Sequence, residues 1–173
     1  MDSTNYEIKI YSSDNGFWRT CCEGSFADRF IKEIDRGVYW NGAVHWVRDC
    51  GKGIYFDLSE EKLHEFPIPG ASNDRGHKIV KYFGGCCGHL YWVEGVELEP
   101  MELIVYEMED DHCGWFVKYR VDLKWVWSWY QNPGSGGMEA LYSKFTVLAI
   151  VDQSEVGEEE ACVVFLCRNI FTE

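Results

Sequence analysis

Apolar and polar residues alternate with a period of two along most of this chain, which predicts strands almost throughout. Residues 6–20, YEIKIYSSDNGFWRT, place Tyr6, Ile8 and Ile10 on one face. They turn at Asp14-Asn15-Gly16 and run into a second strand around Trp18. In GVYWNGAVHWV, residues 37–47, two short strands meet at Asn41-Gly42, a dipeptide that tolerates the left-handed dihedrals of a two-residue hairpin. Residues 54–58 and 63–68 are predicted strands around a charged turn at 59–62. Pro67 and Pro69 lack ladder donors, so the second of these strands belongs at a sheet edge. KIVKYFGG, GHLYWVEG, ELIVYEMED, GWFVKYRVD, FTVLAIVD, ACVVFLC and NIFTE continue the pattern. Only residues 27–36, with Phe30, Ile31 and Ile34 apolar, have the spacing of a short helix. The predicted class is all-β.

A longer beat runs beneath the alternation. Gly42 and Gly88 are 46 residues apart, as are Trp46 and Trp92. Tyr55 is followed by Tyr106 after 51 residues. Tyr11 and Trp18 are followed by Tyr106 and Trp115 after 95 and 97, about two periods. A period in the forties with four strands per unit is that of a β-propeller blade, whose small sheet cannot cover both its faces alone. Trp46 and Trp92 are therefore expected to be equivalent packing residues between blades. His45, replaced by Tyr91 one period on, is expected to pack rather than to act as a base.

The strands add up to a partial β-propeller of about three four-stranded antiparallel blades, fewer than the usual ~4–8. One domain over residues 1–173 would hold a partial blade at 6–20, blades at 36–69 and 78–123, and a partial blade at 145–173. Such a chain is either a piece of a longer propeller or a small ring closed by pairing residues 6–19 with the C-terminal strands.

Composition narrows the partners. Apolar residues make up 46% and aromatics 16%, enough to bury a core. The net charge of −13 repels nucleic-acid backbones and anionic membranes, so neither is an expected partner. No stretch is apolar for the ~20 residues of a membrane span, and MDSTNYEIKIYSSD lacks the basic and apolar regions of a secretion signal. The eight cysteines are then expected as thiols in a reducing compartment, cytoplasmic or nuclear. Cys21–Cys22 and Cys86–Cys87 are adjacent, Cys50, Cys113, Cys162 and Cys167 are scattered, and no C-x-x-C occurs. Cys86–His89 gathers soft ligands, yet small buried apolar side chains are the expectation, with no metal and no cofactor.

Candidate chemistry is sparse. No G-x-S-x-G, H-E-x-x-H, Walker A or dinucleotide fingerprint is present, so no catalytic residue is assigned and the chain reads as a non-enzyme. In WVWSWYQNPGSGG, Trp125, Trp127 and Trp129 alternate onto one face and Tyr130 onto the other, before a Gly/Pro/Ser loop. They form either a partner-binding aromatic ledge or a buried strand, since three indoles are a large area to leave in water. The loop SNDRGHK offers Asp74 and Arg75 to a partner. The acidic runs at 107–111 and 155–160 are expected to be solvated turn charge.

Four phrases carry a family resemblance: GVYWNGAVHWV, IYFDLSEEKLHEFPIP, GGCCGHLYWVEG and IVYEMEDDHCGWFVKYRVDL. In this order and spacing they resemble the plant F-box-associated, kelch-like β-propeller domain. The match covers roughly residues 6–122 and, more loosely, 145–173. The resemblance implies a non-catalytic interaction module, the substrate-recognition part of an SCF-type (Skp1–cullin–F-box) ubiquitin ligase. Its implied partner is a target protein for ubiquitination. No F-box is seen before the first strand, so the Skp1 adaptor is expected as a partner only if the full-length protein carries one. Without one, the chain would compete with full-length relatives for targets. The alternative function is a carbohydrate-binding module using the Trp125–Trp129 ledge.

Overall fold

The computed structural model describes residues 4–26, 37–47, 52–69, 78–96, 102–124, 145–152 and 161–167. Every element among them is a strand. The chain divides into two compact units, Met1–Ile68 and Pro69–Glu173.

The first unit opens with a two-stranded hairpin, β1 (Thr4–Ser12) and β2 (Phe17–Phe26). A four-stranded antiparallel meander follows: β3 (Val38–Trp40), β4 (Ala43–Val47), β5 (Lys52–Asp57) and β6 (Lys62–Pro67). Pro67 lies in β6 at the sheet edge, where its missing N–H breaks no ladder. The second unit repeats the meander with β7 (Lys78–Cys86), β8 (His89–Val96), β9 (Glu102–Met108) and β10 (Trp115–Asp122). It ends in the antiparallel pair β11 (Phe145–Asp152) and β12 (Ala161–Cys167), with β11 against β7. All-β, with four-stranded sheets of the kind that build propeller blades, is the observed class.

The repeated phrase has a repeated backbone. Asn41-Gly42 turns β3 into β4 with φ of 46° and 75°, and Cys87-Gly88 turns β7 into β8 with 47° and 82°. These left-handed pairs match the twist of the flanking strands. Trp46 and Trp92 are each the fourth residue of the second strand of their sheet. Their burial differs: Trp92 is buried and Trp46 only partly so. Register corrects one equivalence drawn from spacing. Trp46 pairs with Ile54 and Trp92 with Tyr106. The counterpart of Tyr106 is therefore Ile54, whereas Tyr55 corresponds to Glu107. A one-residue slip changes the face of the sheet.

In the first meander Trp40, Ala43, His45, Ile54, Phe56 and Phe66 are buried. His45 is fully buried, stacks on Tyr55 at 5.3 Å and places Nδ1 3.3 Å from the Val38 carbonyl, a packing role. In the second unit Tyr91, Val93, Leu103 and Val105 share one face and pack with Leu123, Val147 and Ile150. Of the cysteines whose burial is described, none is fully buried, contrary to expectation. Cys21, Cys22 and Cys86 are half-buried, and Cys87 and Cys113 are exposed. Each adjacent pair sits where strand alternation is interrupted. The helix expected at 27–36 lies outside the described residues.

Candidate functional site

The β1–β2 hairpin shows the largest exposed aromatic area among the described residues. Tyr11 and Trp18 are cross-strand partners with ring centroids 5.3 Å apart, 52% and 69% exposed. Phe17, beside the turn, is 74% exposed. The turn is closed by the Gly16 N–H, which donates to the Ser12 carbonyl at 2.8 Å, with Gly16 at φ 68°. The hairpin tip encloses an open concavity of about 660 Å³. Its walls mix apolar Ile10, Tyr11 and Phe17 with polar Ser12, Ser13, Asn15 and Arg19.

Charge ties this hairpin to the β5–β6 turn of the same unit. Both terminal nitrogens of Arg19 donate to the Glu61 carboxylate, Nη1 at 2.8 Å, in a fork that suits guanidinium and carboxylate geometry. The Cys21 thiol donates to Glu61 Oε2 at 3.2 Å. Glu61 stands at φ 54°, and Asp57 Oδ1 braces the turn by accepting from the Ser59 and Glu60 N–H groups at 2.7 and 2.8 Å. Arg19 first, then Cys21, lowers the Glu61 pKa to about 2. Burial first, then Glu61, pushes the Cys21 thiol up to about 11. The pair clamps the aromatic hairpin but presents no activated nucleophile, since a thiol so raised is protonated at neutral pH.

Among the described residues of the second unit, Glu94 and Glu107 are buried carboxylates. Glu107, only 5% exposed, is paired by register with Tyr91 and Phe116. Its oxygens lie 2.8 Å from His89 Nδ1 and 3.0 Å from Lys118 Nζ. Lys118 is the extra residue of a bulge in β10, between Val117 and Tyr119, and such a bulge re-aims a side chain. On the opposite face Glu94, 1% exposed, accepts the Tyr106 hydroxyl at 2.6 Å. Burial first, then Glu94, raises the Tyr106 pKa above its ordinary value. Trp92 lies on this second face between Phe83 and Trp115, with centroids at 6.1 and 6.2 Å. These carboxylates hold the sheet together rather than face a substrate.

Trp125, Trp127, Trp129, Tyr130, Asp74 and Arg75, the sequence-derived partner residues, lie outside the described residues, as does the acidic run at 155–160. Of the run at 107–111, Glu109, Asp110 and Asp111 are exposed at the turn as expected, but Glu107 is buried inside β9. The exposed aromatics were not singled out by sequence. Spacing equates Trp18 with Trp115, yet Trp115 packs on Trp92 and Trp18 is open. A usable signal was present: Phe17 and Trp18 are adjacent, so a two-stranded hairpin must leave one of them on each face.

Over 131 residues the chain is 33% identical to an F-box protein of Arabidopsis thaliana, so the two are related in sequence. The alignment takes in 71% of this chain and 30% of that protein, so the chain spans under a third of its relative's length. No protein-family profile matches the chain. No solved structure matches it.

Proposed function

We propose, from that kinship with an F-box protein, that this chain is the substrate-recognition part of an SCF-type ubiquitin ligase receptor. In this reading it is a non-catalytic, kelch-like F-box-associated domain that holds a target protein for ubiquitin transfer. The identity of 33% over 131 residues carries the reading. The Tyr11 and Trp18 pair, exposed on one face of the hairpin, supports it on physical grounds. Large aromatics exposed together cost solubility in an isolated domain and are the side chains that dominate binding energy when a partner covers them. Arg19, half-exposed and already paired with Glu61, supplies a pre-oriented polar rim. Skp1 binding belongs, in this reading, to an F-box helical cluster of the full-length protein and not to these sheets.

The test joins an F-box segment to the chain and reconstitutes ubiquitin transfer with Skp1, a cullin and the conjugating machinery. Conjugation of a captured target is expected with the wild-type chain. A Tyr11→Ala/Trp18→Ala variant should reduce it more than about tenfold, since hot-spot truncations cost ~2 kcal/mol or more. Equal conjugation by both chains would remove the hairpin from target binding. Absence of any target-dependent conjugation would end the receptor reading.

One observation favours the carbohydrate alternative: the concavity sets aromatic faces beside hydroxyl, amide and guanidinium groups. A glycan array compared between wild type and Tyr11→Ala, which removes a ring lining the concavity, decides it. Binding lost on substitution supports this reading, and no binding ends it.

A further inference from the structure

Cys86 and Cys87 are adjacent, and adjacent residues of a regular strand point to opposite faces. Here the second of them is the first residue of the β7–β8 turn, at φ 47°, and the reversal brings the two sulfurs to 3.5 Å. Cys87 is exposed and Cys86 less so, which places one sulfur of the pair nearer solvent. Cys86 is half-buried, packs against the buried cluster of the second unit and is the register partner of His89. One sulfur is positioned to attack a small disulfide arriving from solvent, and its neighbour to attack the resulting mixed disulfide in turn.

We propose that Cys86–Cys87 is a redox modification site, a vicinal dithiol that low-molecular-weight disulfides convert reversibly to an intrachain disulfide. The Cys87 thiolate attacks one sulfur of the small disulfide, and that bond breaks to release one small thiol. The Cys86 thiolate then attacks Cys87 Sγ and displaces the second small thiol. Two protein thiols are oxidised, one small disulfide is reduced, and the two protons leave on the released thiols. The second step is intramolecular and needs the sulfurs to close from 3.5 Å to about 2.05 Å. Consecutive Cα atoms lie 3.8 Å apart, short of the usual ~4.4–6.8 Å of a disulfide. The product is therefore strained, and strained exposed disulfides are readily reduced. That makes the site reversible rather than a staple.

The other described thiols are internal controls. Cys21 and Cys22 are also consecutive and their side chains interact, and a bulge leaves Cys21 between the pairs Ile8–Cys22 and Lys9–Thr20. The Cys21 thiol is engaged by Glu61, and burial holds it in its protonated form. Cys113 is exposed, but its thiol donates to the Asp111 carbonyl at 3.6 Å.

The experiment treats the reduced full chain with graded ratios of glutathione disulfide to glutathione, quenches by alkylation and reads each peptide by mass. The peptide bearing Cys86 and Cys87 should lose two hydrogens without retaining glutathione. The glutathione adduct on Cys87 should be resolved at least about tenfold faster than the adduct on Cys113, as an oriented intramolecular step allows. Cys87→Ser should abolish the internal bond. Cys86→Ser should stop the same peptide at a stable glutathione adduct on Cys87. Persistence of two alkylatable thiols at Cys86 and Cys87 while Cys113 is modified would overturn the proposal, as would closure at Cys21–Cys22 alone.

Discussion

The two four-stranded meanders share a backbone and differ in what they bury. Across β4, β5 and β6 the first carries a row of rings. His45, Tyr55 and His64 are successive register partners, with centroids 5.3 and 5.0 Å apart. In the second, Tyr91 replaces His45 and Glu107 replaces Tyr55. A carboxylate then occupies the interior, compensated by His89 from β8 and by Lys118 from a bulge in β10. Gly53 in the first sheet is the hollow that receives the Phe66 ring, whereas Val105 holds the corresponding place in the second, opposite Tyr119. A propeller-type sheet thus tolerates aromatic or ionic filling, the buried carboxylate being compensated by cations of its own sheet.

The largest expected effect comes from imposing one sheet's plan on the other. Gly53→Val puts a side chain where the Phe66 ring lies and should destabilise the first unit by about 3 kcal/mol, the upper range for overpacking. Gly53→Val/Phe66→Ala should recover part of this in denaturant titration. A full loss that Phe66→Ala cannot relieve would mean that the ring is not the obstacle. Lys118→Met, next in size, leaves the buried Glu107 to His89 alone. Because Lys118 is about a third exposed, the loss should be ~1–2 kcal/mol, below that of a fully buried pair. Adding Glu107→Gln should cost less than the sum, and strict additivity would deny the coupling.

Tyr106→Phe removes the donor to Glu94 and should cost about 1 kcal/mol. It also sharpens the contrast in alkali. The folded Tyr106 pKa is raised, so its stabilising contribution is whole below the ordinary phenol value of about 10 and fades as pH climbs beyond it. Melting temperatures recorded across alkaline pH should fall less steeply in the Phe variant. The smallest effect is in acid. Glu61 has a depressed pKa of about 2, so its contribution is present above the ordinary carboxylate value near 4.3 and is lost as pH falls through 2. Glu61→Gln should flatten the acid limb of the first unit, and added salt should do so partially, since the pair is exposed. An unchanged acid limb would show that the clamp does not contribute.

Local chemistry by itself determined most of the architecture here. Alternation placed the strands, Asn41-Gly42 and Asp14-Asn15-Gly16 placed turns, Pro67 marked an edge, and a 46-residue beat announced two matching meanders. These signals are short-range, so they survive without knowledge of the partner strand. Register, burial and side-chain encounter were decided only in three dimensions. Nothing in the string VYEMEDD separates the buried Glu107 from the exposed Glu109, because burial depends on Lys118 arriving across a bulge. Spacing matched Trp18 to Trp115, but whether an indole is covered depends on which strands flank it. The closeness of the Cys86 and Cys87 sulfurs likewise needed a left-handed residue, a backbone choice that cysteine does not advertise.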